Sequence, residues 1–134
     1  MKLLRTVVPA ALLLAASILF AQTNADVVAD IPFAFVVAGS TLPSGHYIVS
    51  KFGNDLNIRD RQNHGVFVPV HASERAEQDN STRLVFHRYA DVYFLSEVWI
   101  SGTSRGKALF PSKAERKLGE SGREREIAVV RAER

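Results

Sequence analysis

Residues 84–102 read LVFHRYADVYFLSEVWISG and constrain the fold more than any other stretch. Ala90-Asp91 breaks the run into two strands of a hairpin, Thr82 to Arg88 and Val92 to Ile100. Alternate residues of a strand point to opposite faces. Here Val85, Phe94 and Val98 supply one apolar set, and Phe86, Leu95 and Trp99 the other. A hairpin apolar on both sides must be covered on both sides, so it belongs at the centre of a fold. The density of aromatic residues is therefore read first as core.

Two registers fit this hairpin. A two-residue loop at Ala90-Asp91 pairs Tyr89 with Val92 and His87 with Phe94. Leu84 then faces Glu97, and His87 and Glu97 fall on opposite faces. A three-residue loop, Tyr89 to Asp91, puts His87 on one face with Tyr93, Leu95 and Glu97, with Arg83 opposite Glu97. A one-residue slip exchanges the faces of one strand relative to the other. The sequence leaves both open.

The rest of the chain repeats the same alphabet. Ile31 to Val37 is an apolar run with Pro32 near its start, a position that suits an edge or a strand beginning. Leu42-Pro43-Ser44-Gly45 fits a type I turn. His46 to Phe52 follows, with Tyr47 and Val49 on one face. Gly53-Asn54-Asp55 signals a tight hairpin. Leu56 to Asp60 is a short strand, Arg61 to Gly65 a turn, and Val66 to His71 a β-branched run interrupted by Pro69. Ser73 to Ser81 is polar and reads as an exposed loop. Strands recurring at this spacing predict a mainly β fold: a small antiparallel β-sandwich or barrel of six to eight strands, closed or nearly closed. One short C-terminal helix is expected, because Ser112-Lys113-Ala114-Glu115 fits a capping box, ending at Gly119. Residues 119–134 form a charged tail, with Ile127-Ala128-Val129-Val130 as a candidate closing strand. The strands are too short, and the charged end too poor in aromatics, for a membrane-spanning barrel.

The N-terminus predicts where the chain goes. Lys2 and Arg5 precede an uncharged run from Thr6 to Phe20, and Thr23-Asn24-Ala25 fits the small-x-small rule. Residues 1–25 are expected to be a secretory signal peptide, cleaved after Ala25, with Ala21 a poorer site. The run of about 15 residues is short of the roughly 20 that span a bilayer, so no membrane span is expected after cleavage. Residues 26–118 are then one β-rich domain. The final compartment is periplasmic or extracellular.

Composition removes several functions. The chain has no cysteine, which excludes thiol nucleophiles, Cys metal sites and disulfide stapling. Of its 17 basic residues, Lys2 and Arg5 lie in the leader, leaving 15 against 14 acidic, a net charge of +1 with interleaved signs. That is no footprint for nucleic acid or for an anionic lipid surface. His46, His64, His71 and His87 show no metal-ligand spacing, so no metal is expected. No GxSxG elbow supports serine catalysis. Gly102 to Lys107 is one residue short of a phosphate loop between its glycines, so no cofactor is expected. Asn80-Ser81-Thr82 matches a glycosylation sequon.

The chain resembles a family of small, exported, uncharacterised bacterial β-rich proteins with no known activity. The likeness rests on Ile31-Pro32-Phe33 with Phe35, Leu42-Pro43-Ser44-Gly45-His46-Tyr47 with Val49, and Leu84-Val85-Phe86-His87-Arg88-Tyr89. It continues through Asp91, Tyr93-Phe94-Leu95, Glu97 and Trp99 to Ser112-Lys113-Ala114-Glu115-Arg116. It covers residues 29 to 118. The family pattern often carries Gly where this chain has Ala90. The resemblance implies an exported single β-domain and no particular activity.

The function expected from these observations is a non-enzymatic binding or envelope-associated module with a protein partner. The alternative is a small β-barrel carrier of an apolar small molecule held between its faces. A hydrolase using His87 with Asp91 or Glu97 is the least supported reading. His87, Tyr93, Glu97 and Trp99 are the candidate ligand-binding residues, and no catalytic residue is assigned.

Overall fold

The computed structural model describes residues 26–74, 81–101 and 105–134. The expected signal peptide and most of the expected polar loop lie outside these residues. The domain is mainly β, with ten strands and one helix among the described residues. In chain order these are β1 (Val27–Ile31), β2 (Phe35–Val37), β3 (Ser40–Leu42), β4 (Gly45–Phe52), β5 (Asp55–Arg59), β6 (Gly65–Glu74), β7 (Arg83–Tyr89), β8 (Val92–Trp99), β9 (Arg105–Leu109), α1 (Lys113–Glu120) and β10 (Glu126–Arg131).

Two sheets meet at β6. Strands β1, β4, β5 and the first half of β6 form one antiparallel sheet, in which Leu56 pairs with Val68. The second half of β6, from Val70, pairs with β9 instead. The exchange falls at Pro69, which has no N–H to donate and suits a place where a strand leaves one partner. The second sheet continues through β9 and β8 to β7 and β10, all antiparallel. Strand β2 lies along the first half of β8 through one parallel bridge, Val36–Phe94, and carries β3 beside it. The arrangement is sandwich-like, and the sheet does not close. An isolated bridge between Val28 and Glu133 links β1 to the segment after β10.

Ten strands stand where six to eight were expected. The run Ile31 to Val37 is two strands, because the chain leaves the first sheet after Ile31 and enters the second at Phe35. Ser40–Leu42 adds β3 through a turn at Ala38 (φ 51°) and Gly39 (φ 74°). Strand β6 runs on to Glu74, so Ser73 and Glu74 are sheet rather than loop. The tail contributes β10, paired along β7 from Glu126–Arg88 to Arg131–Arg83.

The core lies between the sheets. The first sheet contributes Val27, Ala29, Ile31, Tyr47, Val49, Leu56 and Ile58 in strict alternation along its strands. Phe35, Leu84, Phe86, Leu95 and Val98 come from the second. Phe35 and Phe86 meet edge to face at 5.6 Å, and Phe35 meets Tyr47 in the same way at 5.1 Å. Such pairs add about 0.5–1.5 kcal/mol each beyond area burial. In β7, Arg83, Leu84, Val85 and Phe86 are all buried, so this strand is covered on both faces. The outer cover includes α1. Ser112 caps that helix by accepting from Glu115 N–H at 3.1 Å. The helix runs past Gly119 to Glu120, and the turn out is taken by Gly122 at φ 78°.

Candidate functional site

The hairpin adopts neither register throughout. Near the turn it follows the two-residue loop, with Tyr89 opposite Val92 and His87 opposite Phe94. Between Phe86–Leu95 and Val85–Glu97 the pairing shifts by one, leaving Ser96 as an extra residue in β8. This is a β-bulge, which bends a strand and re-aims its side chains. Beyond it Leu84 faces Val98, not Glu97, and Arg83 faces Trp99. Leu95 and Val98 both stay on the core side. Ser96 and Glu97 both turn to the outer face, Ser96 toward His87 and Glu97 toward Trp99.

The bulge assembles a three-residue chain of hydrogen bonds. His87 Nδ1 lies 2.7 Å from Glu115 Oε1, and His87 Nε2 lies 3.1 Å from Ser96 Oγ. The three residues come from β7, α1 and β8. The Glu115 side chain is 7% exposed and that of His87 is 15% exposed. An ionised carboxylate only accepts. Nδ1 of the neutral ring therefore carries the proton and donates it to Glu115. Nε2 is then left as an acceptor for the Ser96 hydroxyl. The capping box is half formed: Ser112 takes the Glu115 amide, but the Glu115 carboxylate turns to His87 rather than back to Ser112.

The four candidate ligand-binding residues do not form one site. His87, Glu97 and Trp99 share the outer face. Glu97 Oε2 accepts from Trp99 Nε1 at 2.7 Å, and the Arg83 guanidinium lies 5.2 Å from the Trp99 ring centroid. Tyr93 faces the opposite side, stacked on Phe33 at 3.7 Å. Ser96 and Glu115 were not on the candidate list. Their sequence signals were weak: a small polar residue inside an apolar strand, and an N-terminal helix glutamate with an obvious local partner.

Beside this chain lies a cleft of about 300 Å³. Val36, Val68, Leu95 and Leu109 are among its walls, and Ser112 and Glu115 border it at the start of α1. The remaining histidines are elsewhere: His46 bonds Asp30 at 2.7 Å, His64 stands 3.8 Å from Asp60, and His71 packs on the Phe110 ring. Among the described residues no group of three potential metal ligands forms. Among them, too, no helix is long and apolar enough to cross a membrane. No family model, curated protein or solved structure matches the chain.

Proposed function

We propose that the protein is an exported binding module, and that the cleft beside α1 holds an apolar group of its partner or ligand. The cleft itself carries this reading. Its walls are mostly aliphatic and aromatic, and its polar side chains, Ser112, Lys113 and Glu115, all come from the start of α1. Small-molecule sites have that composition, and their volumes begin near 300 Å³. Export is supported by Lys2, Arg5 and the uncharged run that follows.

The carrier reading takes a different form from the one the sequence suggested. Phe35, Phe86, Ile58 and Leu84 occupy the space between the sheets and are fully buried. A ligand is better accommodated outside that core, in the cleft.

The test is a titration of the purified protein with 1-hexanol, a small neutral apolar probe, followed by methyl NMR. Saturable shifts should concentrate on Val36, Val37, Val68, Leu95 and Leu109. Absence of saturable shifts there, or shifts centred on the exposed Phe52–Phe67 pair, would refute the assignment.

A further inference from the structure

We infer that Ser96, His87 and Glu115 form a nucleophilic triad, with Ser96 acting on small carboxylic esters. The sequence argued against serine chemistry because no nucleophile elbow is present. The structure reaches the same constellation by another route, through the bulge in β8. A triad is recognised by the geometry and roles of its members, not by their order in the chain.

Each member is in its role. Glu115, buried at the first turn of α1, accepts from Nδ1 at 2.7 Å and fixes the tautomer of the ring. Nε2 presents its lone pair to Ser96 Oγ at 3.1 Å. Ser96 and His87 are each only partly buried.

The reaction balances with water as the only co-reactant. Ser96 Oγ bonds to the ester carbonyl carbon while its proton passes to His87 Nε2. Glu115 offsets the charge of the imidazolium that results. Collapse breaks the carbonyl–alkoxy bond, and the alcohol leaves with the proton from Nε2. Water then attacks the acyl-Ser96 while His87 takes its proton; the acyl carbon–Oγ bond breaks, His87 returns that proton to Ser96 Oγ, and the acid is released. Glu115 and Phe94, which lies two residues before Ser96 and so on the same face of β8, both line the apolar cleft, which is assigned to the acyl chain. This placement of the acyl chain rests on the binding reading above. The reactivity of Ser96 does not.

The experiment treats the purified protein with diisopropyl fluorophosphate, locates adducts by intact and peptide mass spectrometry, and follows hydrolysis of p-nitrophenyl butyrate. Labelling bonds Ser96 Oγ to phosphorus and expels fluoride. We expect one adduct per chain, on Ser96, and ester turnover. Ser96→Ala should keep its fold, shown by an unchanged circular dichroism spectrum, and lose both signals. His87→Gln should slow labelling on the order of 100-fold or more, the loss typical of a missing general base. A wild-type protein with no adduct on Ser96, or turnover undiminished in folded Ser96→Ala, overturns the proposal. Hexanol binding without labelling would leave the cleft standing and remove the triad. Labelling without hexanol binding would do the reverse.

Discussion

Glu115 Oε1 accepts from His87 Nδ1 at 2.7 Å across 28 residues of sequence, and this bond fastens α1 to the centre of the second sheet. The helix has little else to hold it. Its eight residues are mostly polar, and Glu115 is its one buried side chain. Glu115→Ala should therefore loosen the helix before the sheet. Removing one partner of a buried polar pair costs about 1–3 kcal/mol. Hydrogen exchange should show α1 amides losing protection while those of β4 and β5 keep theirs.

Gly106 tests the packing of the outer face. A Cβ at this position would stand 2.7 Å from two atoms of the Trp99 ring. That ring is buried and tied to Glu97 through Nε1, so it cannot swing away freely. Gly106→Ala should destabilise the protein by about 1–3 kcal/mol, as overpacking generally does, measured by urea denaturation with tryptophan fluorescence.

Ala90 holds φ at 52°, in the left-handed region, at the turn between β7 and β8. An L-residue with a Cβ is strained there by roughly 1–2 kcal/mol, and glycine is not. Ala90→Gly should raise stability by up to about 1 kcal/mol, since the greater freedom of glycine in the unfolded chain offsets part of the relief. A rise in thermal midpoint without change in the hairpin register would be the observed outcome.

Tyr47 gives the protein an alkaline limit. Its hydroxyl donates to the Pro43 carbonyl at 2.6 Å. Burial, and secondarily the negative charge of Asp60, push its pKa above the ordinary 10.0. The native state thus favours the neutral phenol. The associated stability is complete below about pH 10 and is lost as pH climbs through the raised value. Tyr47→Phe should cost about 0.5–1.5 kcal/mol near neutrality through the lost hydrogen bond. It should also flatten the fall in stability above pH 10, in urea unfolding curves taken stepwise from pH 8 upward.

The fold was legible where side-chain periodicity speaks directly. Alternation in β4 and β5, the Gly53-Asn54 turn and the doubly apolar hairpin all follow from local pattern. What stayed hidden was set by long-range pairing. The break after Ile31 depends on which sheet each half joins, and the sheet exchange at Pro69 depends on β9. The bulge at Ser96 was hidden for a sharper reason. Both registers considered assumed one unbroken ladder, whereas the strand uses one register near its turn and shifts beyond Phe86. Glu115 was masked by its own local motif, because a capping box gives its carboxylate a nearby partner that the folded chain does not use.

One hydrogen-bond chain joins the hairpin, the helix and the proposed triad, and it can be observed directly. The measurement is a long-range ¹H–¹⁵N spectrum of the imidazole nitrogens, assigned to His87 with the His87→Gln variant and recorded with the ring neutral. We expect a protonated Nδ1 bonded to Glu115 and an unprotonated Nε2 accepting from Ser96. A His87 ring carrying its proton on Nε2 would contradict it, because Glu115 would then accept nothing from His87 and Ser96 would have no base.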